Sequence, residues 1–174
     1  MRRGAPWAAA LLALACSRPA APPPGQAVYE SKSGDFSLQG PLGWRVLEEQ
    51  GGAHRVTLMG PLPDLETIAV YRYERSAEYP DAQAYLAGQA LAGRPGPSRK
   101  MSLAGRPAWD MTVERESPPM HGAPPQRLSV RMVVVEDARG FWSLVRTGPS
   151  GRGSEKVLDQ VLASFQPRPA SVVR

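Results

Sequence analysis

Trp109-Asp110-Met111-Thr112-Val113-Glu114 alternates between apolar and polar residues, and further on Leu128, Val130, Met132 and Val134 alternate in the same way. Successive side chains of a β-strand point to opposite faces, so a period of two marks a half-buried strand. Between the two runs lies Ser117–Pro125, SPPMHGAPP, whose prolines supply no ladder donors and make a rigid turn region. The two runs therefore read as the arms of an antiparallel hairpin. A slip of one residue would turn every apolar side chain to the wrong face. The register chosen from the pattern sets Trp109 opposite Met132, Met111 opposite Val130 and Val113 opposite Leu128. It also sets Glu114 opposite Arg127 and Asp110 opposite Arg131. Opposite charges across a ladder contribute only about 0.2–1 kcal/mol each, so they select among registers and do not make the fold.

Outward from this hairpin, further strand patterns occur at Val28–Glu30, Asp35–Leu38, Trp44–Leu47, Arg55–Met59, Thr67–Glu74, Arg99–Leu103 and Phe141–Arg146. Two segments change to a helical period. Pro80 suits the first position of a helix, and Ala82, Tyr85, Leu86 and Ala90 follow at helical spacing until Gly93-Arg94-Pro95-Gly96. Ser154 suits an N-cap, and Val157, Leu158, Val161, Leu162 and Phe165 form one apolar stripe. Strands, helix, strands, helix with short connections imply an α+β fold: an α/β/α sandwich with a twisted, mainly antiparallel sheet and two principal helices. The domain is read over 27–166. Residues from Gln166, QPRPASVVR, carry no pattern, and 167–174 are read as a disordered tail.

The chain has 174 residues, 42% hydrophobic and 21% charged, enough for one domain with a packed core. Its formal charge of +5 comes from 18 Arg and only 3 Lys against 16 acids interleaved along the sequence, so no basic block marks a nucleic-acid site. The single cysteine, Cys16, excludes an internal disulfide framework. It stands at the end of a run that begins with Arg2-Arg3 and continues through uncharged Ala5–Ala15, a secretory pattern over 1–15 that is too short to span a bilayer. Leu12-Ala13-Leu14-Ala15-Cys16 resembles the bacterial lipoprotein signal, with Ala13 where leucine is commonest. The resemblance implies cleavage before Cys16 and a diacylglycerol on its thiol, hence a membrane anchor. One acyl chain binds a bilayer only marginally, whereas two give stable attachment. Ser17, rather than Asp, after the cysteine implies the outer membrane. Residues 16–26, ending in SRPAAPPPGQ, then form an extended tether. Cleavage removes Arg2 and Arg3 and no acid, lowering the charge from +5 to +3.

Chemistry-bearing residues are sparse. His54 precedes a strand, where an exposed polar residue is expected. Met120 and His121 together supply a thioether and an imidazole, which would suit copper, but two ligands are too few for a metal site. Glu48-Glu49 and Glu136-Asp137 are adjacent carboxylates, which a strand would send to opposite faces. Gly148-Pro-Ser-Gly-Arg-Gly153 lacks the Gly-Lys-Ser/Thr ending of a phosphate loop. No catalytic residue, cofactor or metal ligand is assigned. The one candidate binding surface is Tyr71 and Tyr73, which share a strand face, beside Arg72 and Arg75.

Phe36, Gly40-Pro41-Leu42-Gly43-Trp44, the helix with Tyr85-Leu86, Leu103-Ala104-Gly105-Arg106-Pro107-Ala108 and the closing Val161-Leu162-Ala163-Ser164-Phe165 resemble PsbP-like (DcrB-like) proteins from Val28 to Phe165. These marks are structural devices, not catalytic motifs. The resemblance implies the sandwich fold and a non-enzymatic accessory or binding role. The expectation is a lipid-anchored cell-envelope protein with a protein partner and no nucleic acid. A domain that binds a small ligand or a glycan in a groove between sheet and helix is the alternative.

Overall fold

The computed structural model describes residues 25–48, 51–61, 66–117, 124–151 and 155–168. Along the chain these form β1 (Gln26–Glu30), β2 (Phe36–Pro41), β3 (Arg45–Glu48), β4 (His54–Met59), β5 (Thr67–Glu74), α1 (Ala82–Ala90), β6 (Arg94–Pro95), β7 (Arg99–Leu103), β8 (Arg106–Glu116), β9 (Arg127–Asp137), β10 (Gly140–Pro149), α2 (Glu155–Ser164) and β11 (Gln166–Pro167). The main sheet runs β3-β4-β5-β10-β9-β8, with β6 and β7 both pairing β8, and a small sheet runs β1-β2-β11. Every pairing is antiparallel. The fold is the expected α+β sandwich.

The hairpin β8–β9 forms, with its register displaced by two residues. Trp109 faces Val134, Met111 faces Met132, Val113 faces Val130 and Glu116 faces Arg127. A shift of two preserves which face each side chain occupies, so the apolar sets still match. Arg131 lies opposite Thr112 and reaches Asp110 diagonally at 2.8 Å, while its other arm reaches Asp159 on α2 at 2.7 Å. Hydrogen bonding to the Asp110 carboxylate, and then to Asp159, raises the Arg131 pKa further. Glu114 faces Ser129, and its carboxylate accepts from the Ser150 hydroxyl.

Alternation along the central strands creates two cores. Ile68, Val70, Val133, Val135, Trp142 and Leu144 lie on one face, under α2 and β2. Phe36, Trp142 and Phe165 meet there at centroid separations of 5.4–5.9 Å, so the last aromatic closes the core where α2 ends. Met111, Val113, Val130, Met132, Val134 and Phe141 lie on the other face, under Ala82, Tyr85 and Leu86 of α1. The N-cap of α1 is Asp81, whose carboxylate accepts from the Ala84 N–H at 2.8 Å. Pro80 stands just outside, so the helix begins two residues later than proline placement implied. Glu136 accepts from the Ala82 N–H at 3.1 Å, satisfying a second N-terminal donor from across the sheet.

Three further expectations change. Arg94–Pro95, read as part of a helix stop, pairs Glu114 and Val113. Gln26 belongs to β1, not to the tether. Gln166 and Pro167 pair Ser37 and Phe36, and the Arg168 N–H donates to the Asp35 carbonyl at 2.7 Å, so the ordered chain continues past 166. Cys16, Met120, His121 and Ser154 lie outside the described residues.

Leu103 and Arg106 are paired across the two-residue turn Ala104-Gly105, with φ of 50° and 72°. Positive φ at both positions is the type I′ geometry that favours Asn-Gly, and an L-alanine there costs about 1 kcal/mol. Ala104→Asn is therefore expected to stabilise the domain by about 0.5–1 kcal/mol, measured as a higher urea midpoint with unchanged slope.

Candidate functional site

Where the main sheet ends at the β9–β10 turn, the C-terminus of β5 and the β7–β8 turn come together around a cleft of about 630 Å³. Six arginines line it, Arg55, Arg72, Arg75, Arg106, Arg139 and Arg168, with Asp35, Glu74, Glu136 and Asp137. No two of the six are closer than three positions in sequence, and topology alone gathers them. Arg106 follows the turn at Gly105, Arg139 occupies the β9–β10 turn, and Arg168 follows β11.

Asp137 is the hub. Its carboxylate lies 3.2 Å from Arg72 and 3.6 Å from Arg106, accepts from Trp142 Nε1 at 3.2 Å and accepts from the Arg139 backbone N–H at 3.3 Å. Arg72 faces Trp142 across the β5–β10 ladder, and its guanidinium carbon lies 5.3 Å from the indole centroid. Trp142 is itself only 1% exposed, so it serves as the floor that holds Arg72 and offers no free ring face to a ligand. Glu136, also at the border of the cleft, points the other way from β9, where it pairs Arg75 at 2.7 Å and holds the start of α1. The adjacent carboxylates thus diverge as strand geometry requires, but both are ion-paired.

The four residues singled out from the sequence are not brought onto one surface. Arg72 and Arg75 line the cleft. Tyr71 and Tyr73 are half-buried on the α1 face, with Tyr73 against Phe141 at 5.2 Å, Tyr85 at 4.9 Å and Tyr79 at 6.0 Å. Alternation along β5 turns Arg72 away from Tyr71 and Tyr73, whereas Arg75 lies beyond the end of that strand. His54, expected to be exposed, is half-buried beside Tyr71 at 5.5 Å, with Nε2 bonded to the Thr57 hydroxyl at 2.8 Å. Among the described residues, no three His, Cys, Asp or Glu side chains converge to hold a metal.

Burial, and then the neighbouring Tyr85, raises the Tyr73 phenol above its ordinary 10.0. Burial followed by Tyr85 raises Tyr71 as well. Above pH 10 the unfolded chain loses these protons while the folded chain keeps them, so the stability they contribute is complete below that pH and falls as pH rises. Tyr73→Phe is expected to weaken the alkaline fall in melting temperature. An unchanged slope of melting temperature against pH between about 9.5 and 11.5 contradicts this.

No protein-family profile and no curated protein matches the chain. Among solved structures, a protein of Bacteroides thetaiotaomicron superimposes at a TM-score of 0.54 and 13% identity over 83% of this chain; the chain spans only 49% of that protein's length. Cyanobacterial PsbP (CyanoP) of Synechocystis gives 0.53 at 13% identity, covering 82% of this chain and 92% of that one. LpqN of Mycobacterium tuberculosis, described as involved in cell envelope biogenesis, gives 0.52 at 15% identity, covering 77% and 83%. The chain has the α+β fold of PsbP-like proteins. Identity this low carries the fold and no particular activity.

Proposed function

We propose that this protein is a non-catalytic accessory protein of the bacterial cell envelope, held to a membrane by a lipid on Cys16 and binding a partner through the arginine-lined cleft. The carrying observation is the cleft: six arginines and four acidic residues from several elements line it at one end of the sheet. Such a surface is suited to charge recognition, and among the described residues that line it there is no histidine, serine or cysteine. LpqN, with the same fold and a stated part in envelope biogenesis, supports the envelope reading. The lipoprotein-like Leu12–Cys16 and the proline-rich spacer behind it support the anchor. Among the described residues no helix is long and apolar enough to cross a membrane.

Fractionation of cells producing the full chain tests this reading. Wild type is expected in the membrane fraction, and Cys16→Ala in the soluble fraction or as uncleaved precursor. Equal membrane retention of a processed Cys16→Ala protein overturns the anchor.

A further inference from the structure

We propose that the cleft binds carboxylate groups of an acidic segment in a protein partner, with Arg106 and Arg139 as the receiving cations. This rests on the binding reading above and names the chemistry of that site. The internal acids do not saturate the arginines. Asp137 already accepts from Trp142 and the Arg139 backbone and lies against Arg72, so Arg106 at 3.6 Å is beyond hydrogen-bond reach of it. The Arg139 side chain is exposed and has no bonding partner among the described residues. Two guanidinium forks in one cleft thus keep unspent donors.

The rest of the cleft selects the kind of anion. Arg75 already holds a carboxylate oxygen of Glu136 at 2.7 Å, one guanidinium–carboxylate contact formed within the cleft itself. Asp35, Glu74, Glu136 and Asp137 spread negative charge along the same walls. A phosphate dianion or a nucleic-acid backbone would meet that repulsion at several points, whereas single carboxylates spaced along a peptide can settle between the acids. Like-charge juxtaposition is costly at interfaces and acts as a filter on partners.

The test is fluorescence anisotropy with the full chain and a fluorescein-labelled peptide of alternating glutamate and serine at low ionic strength. Its counterpart with glutamine for glutamate, and inorganic phosphate as competitor, complete the set. The glutamate peptide is expected to bind at least about tenfold more tightly than the glutamine peptide. Binding should fall at least about fivefold in Arg106→Gln/Arg139→Gln and stay unchanged in Arg94→Gln/Arg127→Gln, which removes equal charge from exposed positions outside the cleft. Circular dichroism melting confirms that each variant folds. Equal binding of both peptides, or an equal loss in both double variants, overturns the proposal. Displacement by phosphate at a lower concentration than by unlabelled glutamate peptide also overturns it in favour of a phosphate ligand. None of these outcomes alters where Cys16→Ala fractionates, so the anchor stands or falls separately.

Discussion

Arg146→Ala is expected to destabilise the domain by about 3–5 kcal/mol, the cost of leaving one member of a buried ion pair without the other. Arg146 is 1% exposed in the middle of β10, on the α2 face beside Leu144, and its Nε donates to the carboxylate of Glu66, which is 7% exposed. Glu66 is held in place by its backbone, whose carbonyl accepts from the Gly60 N–H at 2.7 Å. The glycine at 148 leaves room for the guanidinium, since a methyl group there would lie 3.0 Å from Arg146 Nη2. Removing the arginine strands a desolvated carboxylate, while removing both charges does not. Arg146→Met with Glu66→Leu should therefore recover most of the loss, because apolar replacement of a buried pair is often neutral or better. Urea unfolding of Arg146→Met, Glu66→Leu and the double variant measures the coupling. Additive losses would mean that the pair does not act as a unit.

Gly140→Ala is expected to cost about 3 kcal/mol or more and to disturb the cleft as well. A Cβ at this position would lie 2.0 Å from the Tyr73 carbonyl oxygen, 2.7 Å from Arg72 Nη1 and 3.0 Å from the Glu74 Cα. Two of these atoms are backbone, so the ladder between β5 and β10 must part. Arg72 also donates from Nη1 to that same Tyr73 carbonyl at 2.7 Å, and it sits over Trp142. The substitution therefore moves the cleft floor along with the sheet. The expected result is a large drop in melting temperature together with altered tryptophan fluorescence. Wild-type stability of this variant would contradict the close approach of the two strands at Gly140.

The elements of this fold were legible where one face dominates. Val130, Met132 and Val134 announce their strand, and Leu158, Val161 and Leu162 announce their helix. The register of β8 on β9 was not fixed by the same signal, because a two-residue slip leaves every face unchanged and Leu128 offers itself as a partner for Val113. Asp110 and Arg131 find each other in either register, directly or diagonally, so the charge pair was right for a reason that did not discriminate. Gln166-Pro167 gave no strand signal, since two residues have no period and Pro lacks a donor; β2 recruits them after α2 ends. The cleft was hidden for a topological reason. Arg106 and Arg139 sit at hairpin turns 33 positions apart, and nothing local says that those turns close on the same end of the sheet. The alternation that separates Arg72 from Tyr71 and Tyr73 was available, and it argued against grouping them.

The proposed lipid on Cys16 is tested by intact-mass spectrometry of the full-length gene product extracted from membranes. The expected result is a protein that lacks residues 1–15, begins at Cys16 and carries a diacylglyceryl group on that residue. A mature chain with an unmodified Cys16, or one cleaved elsewhere, would contradict it.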